Sequence, residues 1–242
     1  MDYTKLAQMA AQIRQEVPAE ERGAYMKALL ARIDRPRIDP VAMSLEQLFE
    51  AQVVTRILDG HHEALGLSET QFRAELDPLK RHLDMIDALH PVRVPGHWPF
   101  VLVLKTAMSL NAQMSLVVVN NQSGQNRLDC AEVTTTEVIP AGHYLAVDVW
   151  DGRDNKNVGI SDILAKFKTS ERHPGVVEEG LSVVEYDPET LLAVWMDLPG
   201  SRCGDGWPYL NLWHDGPRLG ACASGRANPI CGAVSCGRRL GL

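Results

Sequence analysis

The stretch "HWPFVLVLK", residues 97–105, marks the point at which the character of the chain changes. It is short, rich in branched apolar residues and almost free of polar positions, which is typical of a central β-strand buried on both faces. The residues before it carry helical patterns, whereas most apolar runs after it carry strand patterns. We therefore expect an α+β fold, with a helical region over 1–90 and a mixed, mainly antiparallel sheet domain with helical insertions over 91–242.

Local signals predict where individual elements begin. Ser44 with Gln47, and Ser68 with Gln71, form the capping-box pattern, in which two residues three places apart satisfy each other's backbone N–H groups at a helix start. Apolar periodicity predicts the other elements. Helices are predicted over 4–17, 18–33, 45–58, 161–169 and 174–186, and strands over 97–105, 114–121, 143–152, 191–198 and 209–214.

Composition and charge exclude some classes of function. The chain has 242 residues and a formal net charge of −7. Nucleic-acid binding requires clustered Lys and Arg, so we expect no nucleic-acid partner. No apolar run reaches the roughly 18 to 20 residues that span a bilayer, and the N-terminus has no apolar core of the signal-peptide kind. We therefore expect no membrane partner and a cytoplasmic location, where thiols are kept reduced and disulfides are not expected.

The segment "GSRCGDGWPYLNLWHDGPRLGAC", residues 200–222, carries the chemistry-bearing residues at highest density. A structural zinc site is one interpretation, with Cys203, Cys222 and Cys236 as ligands if a metal is present. Cys231 and His214 are further possible ligands. Structural zinc sites usually pair their ligands at short spacing, which these cysteines largely lack. The spacing does not favour zinc, which stays open as an alternative.

A cysteine-dependent enzyme is a second interpretation. Cys203 lies next to Arg202 between glycines, a setting that exposes backbone and can stabilise a thiolate. Asp205 or a histidine would then carry the proton. The candidate histidines are His97, His143 and His214.

A ligand-binding pocket is the third interpretation. Pockets combine aromatic walls with a few polar groups. Arg202 and Trp207 in the glycine-rich loop fit that description, and so do Asp148 and Trp150 on one face of the strand over 143–152, together with His97. We expect the "GSRCGDGW" loop and the "LGAC" and "SCG" turns to frame such a pocket.

The chain also resembles a known family. "YLAVDVWDG", "RHPGVVEEG", "GSRCGD", "GPRLGAC" and "GAVSCG" follow one another in the order found in the uncharacterised bacterial domain of unknown function 5701 family, most clearly over residues 143–239. The resemblance implies that Cys203, Cys222 and Cys236 belong to the family pattern, whereas Cys231 and His214 depart from it. It supplies no activity. The function expected from the sequence is thus a binding or accessory protein for a small molecule or peptide, with the cysteine enzyme and the structural zinc protein as alternatives.

Overall fold

The computed structural model describes residues 35–120, 122–129, 133–223 and 225–242, and within them the chain is an α+β structure, as predicted. The helices predicted over 4–17 and 18–33 lie outside these residues. The α-helices are α1 (Leu45–Leu58), α2 (His61–Ala64), α3 (Glu69–Leu76), α4 (Leu83–Ala88), α5 (Leu110–Leu116), α6 (Ile160–Thr169), α7 (Val177–Tyr186) and α8 (Thr190–Ala193), with 3₁₀ helices at Asp77–His82 and Arg153–Asn155. No helix within the described ranges is long and apolar enough to cross a membrane.

The strands form two five-stranded sheets and two small ribbons. They are β1 (His97–Val103), β2 (Val118–Val119), β3 (Gln122–Ser123), β4 (Gln125–Asn126), β5 (Val133–Thr135), β6 (Tyr144–Trp150), β7 (His173–Pro174), β8 (Trp195–Asp197), β9 (Ser201–Cys203), β10 (Trp207–Trp213), β11 (Gly216–Cys222), β12 (Cys231–Ala233), β13 (Ser235–Cys236) and β14 (Arg238–Gly241). Sheet 1 has the order β1-β6-β13-β7, with β14 also paired to β6, and sheet 2 has the order β12-β8-β10-β11-β4. The ribbons are β2-β3 and β5-β9.

Both predicted capping boxes are confirmed. Ser44 Oγ accepts the N–H of Gln47 at 3.2 Å, and Gln47 Oε1 accepts the N–H of Ser44 at 3.0 Å, at the start of α1. Ser68 and Gln71 make the same exchange at the start of α3. Each capping box joins residues only three apart, so the local sequence is enough to predict it.

The prediction that the stretch over 97–105 is a central strand is wrong in one respect. β1 is buried along its whole length, but among the described strands it pairs only with β6, so it is an edge strand. The side chain of Gln52 from α1 covers the open edge: its Oε1 accepts the N–H of Leu102 at 2.6 Å, and its Nε2 donates to the carbonyl of Phe100 at 3.3 Å. A helix, not a second strand, satisfies and buries this edge.

Two other predicted strands begin with helix. α5 occupies the start of the strand predicted over 114–121, because the Oγ of Ser109 accepts the N–H of Ala112 at 3.2 Å and caps a helix there. Among the described residues of this range, only β2 is strand. α8 occupies the start of the strand predicted over 191–198, where the hydroxyl of Thr190 donates to the Asp187 carboxylate at 2.9 Å.

The helix α7 connects the two sheets through one core. It is buried on nearly every side and contacts both β1 of sheet 1 and β10 of sheet 2. An ion pair between Arg56 of α1 and Glu185 of α7, both at most 2% exposed, fixes the two helices together. Arg56 Nη2 donates to Ser182 Oγ at 2.7 Å, and Arg56 Nε donates to Tyr186 Oη at 2.8 Å. Burial and the charge of Arg56 lower the pKa of His61 to about 2, so this neighbouring imidazole is neutral.

Candidate ligand-binding site

Sheet 2 has one face toward the core and one face that carries aromatic and acidic side chains. Met196 and Leu210 are paired in register on β8 and β10 and are fully buried. Successive residues of a strand point to opposite sides, so Trp195, Asp197 and Tyr209 lie on the other face. That face is where the described structure forms its candidate pocket.

The pocket has a volume of about 300 Å³, at the lower end of the range for small-molecule sites. Four strands of sheet 2, the start of α6 and the loop over 225–228 enclose it. The lining residues are Ile160, Trp195, Asp197, Trp207, Tyr209, Ala221, Cys222, Gly225, Arg226, Ala227, Asn228 and Cys231.

Backbone contacts hold the loop over 225–228 against the strands. The carbonyl of Gly225 accepts the N–H of Ile160 at 2.9 Å, and the carbonyl of Asn228 accepts the N–H of Asn157 at 3.0 Å. Gly225 has a φ of +51°, and a Cβ at this position would come within 3.0 Å of the Trp207 ring. Glycine therefore allows the loop to turn directly against the aromatic wall.

Asp197 is the electrostatically unusual group of the pocket. Burial raises the pKa of its carboxyl from 3.8 to about 7. None of the described residues makes a hydrogen bond or an ion pair with this side chain. A buried carboxylate that lacks a partner is costly, and carboxyl groups in this state are characteristic of functional sites.

Two other titratable groups of the pocket lining, Cys231 and Tyr209, are neutral near pH 7. Burial, then the negative charges of Asp197 and Cys222, raise the pKa of Cys231 to about 12. Burial also raises the pKa of Tyr209, and the charge of Cys222 adds to the rise. Asp197 is thus the group on the inner pocket wall whose charge changes near neutral pH.

The structure brings together the predicted residues Arg202 and Trp207. The Arg202 guanidinium carbon lies 4.0 Å from the centre of a Trp207 ring, a cation–π contact. The indole Nε1 of Trp207 is buried and has no hydrogen-bond acceptor among the described residues. Trp207 lines the pocket, whereas Arg202 packs on this ring and does not line the pocket.

The structure places Asp148, Trp150 and His97 together in sheet 1, away from the pocket. His97 stacks on Trp150 with ring centres 4.5 Å apart, and its Nε2 lies 2.6 Å from the Asp154 carboxylate. Asp148 accepts hydrogen bonds from Trp150 Nε1 at 3.2 Å and from Arg172 Nη1 at 2.5 Å. Asp148 is therefore already paired with a cation, Arg172, and its role in this cluster is structural.

The predicted catalytic residues are not assembled into a site. Cys203 is 5% exposed and its sulfur is in a disulfide, so the expectation that the cysteines are reduced is wrong here. Asp205 is exposed in the turn after β9. The strand predicted over 209–214 includes His214, but β10 ends at Trp213 and His214 is exposed in the following turn. The strand between Trp207 and Trp213 is about 20 Å long, which separates His214 from the Cys203 end of the hairpin.

His143, the remaining histidine considered as a proton carrier, belongs to sheet 1. Its Nδ1 accepts the backbone N–H of Lys105 at 3.0 Å, and burial lowers its pKa. It therefore has a structural role in joining the segments after β1 and before β6.

The three candidate metal ligands lie in different surroundings. Cys222 is exposed at the pocket, Cys203 is in the disulfide, and Cys236 is fully buried with its Sγ 3.9 Å from Glu179 Oε1. Glu179 also binds Arg239 Nε at 2.6 Å. In the part of the chain that the structure describes, no group of three or more His, Cys, Asp or Glu side chains is arranged to hold a metal ion.

Sequence reasoning missed Asp197. The signal was present in the order Trp195-Met196-Asp197, which places an acid and an indole on the same face of a strand. The apolar residues on either side favour one continuous strand over 191–198 and hide this pattern. Nothing local indicates that the loop over 225–228 returns to cover this acid.

Comparisons with known proteins agree with the resemblance noted in the sequence. A family model described as "Family of unknown function (DUF5701)" matches residues 56–242. No curated protein and no solved structure matches the chain. The matched range includes every strand of the described residues and the whole pocket lining.

Proposed function

For a chain that belongs to the DUF5701 family, whose function is unknown, we propose that the protein binds a small molecule, or one side chain of a peptide, in the pocket on sheet 2. The observation that carries this proposal is Asp197, a partly buried carboxyl group that no described residue pairs, beside two indoles and a phenol. Enclosed aromatic walls with few polar groups are the usual composition of ligand sites.

The enclosing elements also support the proposal. The loop over 225–228 is held by backbone hydrogen bonds at both ends, so the pocket exists without a ligand. A preformed site loses little conformational entropy on binding. The Trp207 indole N–H is buried without an acceptor among the described residues, and burial is the only cause of the raised pKa of Asp197, so both groups are available to a polar ligand.

The five tryptophans offer a direct test. Their indole N–H signals in a ¹⁵N-labelled sample are assigned by single Trp→Phe substitutions and followed while a library of small polar aromatic and aliphatic compounds is added. Trp195 and Trp207 line the pocket, whereas Trp98 is in the core and Trp150 is in the sheet 1 cluster. The proposal expects saturable shifts of Trp195 and Trp207 with Trp98 unchanged.

Two results would count against it. Saturable shifts of Trp150 alone would place the binding site at the His97 and Asp148 cluster. A library that produces no saturable shift of any indole would refute the proposal.

The cysteine-enzyme alternative is weaker than the binding proposal. A sulfur in a disulfide has no thiolate, and thiolate is the form that attacks a substrate. The cytoplasmic location is also a proposal, and the disulfide of Cys203 weighs against it because cytosolic thiols are kept reduced. Alkylation of thiols in intact cells before lysis tests the enzyme alternative and the cytoplasmic location together. Rapid labelling of Cys203 would support both proposals. Protection of Cys203 until a reductant is added would count against both.

A further inference from the structure

The charge balance of the pocket defines what it can bind. Asp197 has no cation beside it among the described residues, and burial alone accounts for its raised pKa. Arg226 also lines the pocket but is exposed and makes no ion pair with Asp197. An ionised Asp197 therefore lacks a positive partner, and a ligand that brings one removes this deficit.

The aromatic walls favour the same class of ligand. The faces of Trp and Tyr rings attract cations, most strongly where water is excluded. The described structure contains several such contacts, among them Arg202 on Trp207 at 4.0 Å and Arg218 on Trp213 at 5.3 Å. Trp195 and Tyr209 line the pocket, and no described Lys or Arg lies over either ring.

We propose that the pocket is a site for small organic cations, in which Asp197 supplies the countercharge and Trp195, Trp207 and Tyr209 supply ring faces. The ligand class is an amine or a quaternary ammonium compound. This inference rests on the proposed function, because it assigns a ligand class to the same pocket.

One alternative follows from the same residues and makes the opposite prediction. With a pKa of about 7, Asp197 is protonated in part of the molecules at neutral pH and can donate a hydrogen bond to a neutral ligand. A cation requires the ionised carboxylate, whereas a neutral acceptor requires the protonated acid. The dependence of affinity on pH therefore separates the two.

The test uses cations that do not titrate, each paired with a neutral isostere. Tetramethylammonium, choline and benzyltrimethylammonium are compared with the neutral compounds in which carbon replaces the nitrogen, which are neopentane, 3,3-dimethylbutanol and neopentylbenzene. Binding is measured from the Trp195 and Trp207 indole signals. We expect the best cation to bind at least about tenfold more tightly than its isostere. Equal affinity for the two would overturn the inference.

The pH series is run in a Cys222→Ser background, so that titration of this exposed thiol does not contribute. Tyr209 and Cys231 stay neutral between pH 5.5 and pH 8.5 because their pKa values are raised. From a pKa of about 7 for Asp197, the affinity for the cation should rise about thirtyfold between pH 5.5 and pH 8.5. A cation affinity that stays constant or falls over this range would overturn the inference, and an affinity for the neutral isostere that falls over it would assign the pocket to neutral ligands.

Charge-matched variants complete the test. Asp197→Asn should weaken cation binding about tenfold or more and leave the isostere within about twofold. Asp215→Asn removes the same charge at the opposite end of the β10–β11 hairpin and should change neither. If Asp197→Asn leaves cation affinity unchanged, the inference is wrong.

Failure of this inference differs from failure of the proposed function. If library compounds shift Trp195 and Trp207 but none of the three cations does, the pocket binds small molecules of another class. If no compound of any kind binds, the proposed function fails and the inference fails with it.

Discussion

Replacing Asp197 with asparagine should stabilise the folded protein, and the gain should grow as the pH rises. The carboxyl has an ordinary pKa of 3.8 and a folded-state pKa of about 7. Below pH 3.8 the group is protonated in both states and has no effect on the free energy of unfolding. Between these two values only the unfolded chain is ionised, so the native protein loses stability as the pH rises, and above pH 7 the full cost is present.

The magnitude follows from the size of the shift. About three pKa units correspond to a destabilisation on the order of 4 kcal/mol at high pH. At pH 5 the same shift destabilises the native protein by about 2 kcal/mol. The free energy of unfolding gained by Asp197→Asn should therefore grow by about 3 kcal/mol between pH 5 and pH 8.5. The side chain is half-buried and retains some contact with water, which makes these values upper limits.

Urea unfolding followed by circular dichroism at both pH values measures this difference. Asp215→Asn is the matched control: its hydrogen bond with Arg218 lowers the pKa of Asp215, so removing that carboxylate should give no gain at high pH. A constant effect of Asp197→Asn at the two pH values, or a loss of stability that increases with pH, would refute the argument that Asp197 is buried without a partner.

Three further predictions concern the rest of the chain. Arg56→Met leaves the Glu185 carboxylate buried without its partner and should lower the free energy of unfolding by about 3 to 5 kcal/mol. In the same urea assay, the double variant Arg56→Met, Glu185→Met should recover most of this loss, because it leaves no unpaired charge. Gly232→Ala would place a Cβ 1.9 Å from the carbonyl oxygen of Gly152 and should cost about 3 kcal/mol, while Gly142→Ala, which has nothing within 4 Å, should be tolerated. Iodoacetamide should label the exposed Cys222 in the folded protein but not Cys236, which is fully buried and whose raised pKa keeps the thiol neutral. Peptide mass spectrometry measures both labelling rates. Equal rates for the two cysteines would contradict the buried position of Cys236.

Elements that depend on local contacts could be predicted from the sequence. The capping boxes at Ser44 and Ser68 join residues three apart, and the strand over 144–150 follows from a short, mostly apolar run. The helices α6 and α7 follow from apolar periodicity with polar first turns. The α+β class depends on the order of such elements and was therefore also predictable.

Features that depend on distant partners could not be predicted. β1 has the composition of a central strand because it is buried, but Gln52, about 50 residues earlier in the chain, closes its edge. Periodicity records burial and does not record which element causes it. The same limit applies to Glu179, whose first-turn position explains its contact with the helix start but not its ion pair with Arg239.

The candidate site was predicted in part. Trp207 of the "GSRCGDGW" segment and Ala221 and Cys222 of the "LGAC" turn line the pocket, whereas no other residue of that segment and no residue of the "SCG" turn does. Asp148, Trp150 and His97 do not, because Arg172 joins them into a separate cluster. Asp197 could not be recognised, since its raised pKa depends on burial by a loop that lies about 30 residues later in the sequence.

The most direct measurement for the central claim is the pKa of Asp197 itself. The protein is labelled with ¹³C at the aspartate carboxyl carbon, the Asp197 signal is identified by its absence in Asp197→Asn, and its chemical shift is followed from pH 4 to pH 9. An unpaired carboxyl buried in an aromatic pocket should titrate with a midpoint near 7, and a saturating quaternary ammonium ligand should lower that midpoint. A midpoint near 3.8 would show that the carboxylate is solvated or already paired, and would contradict the account of this pocket.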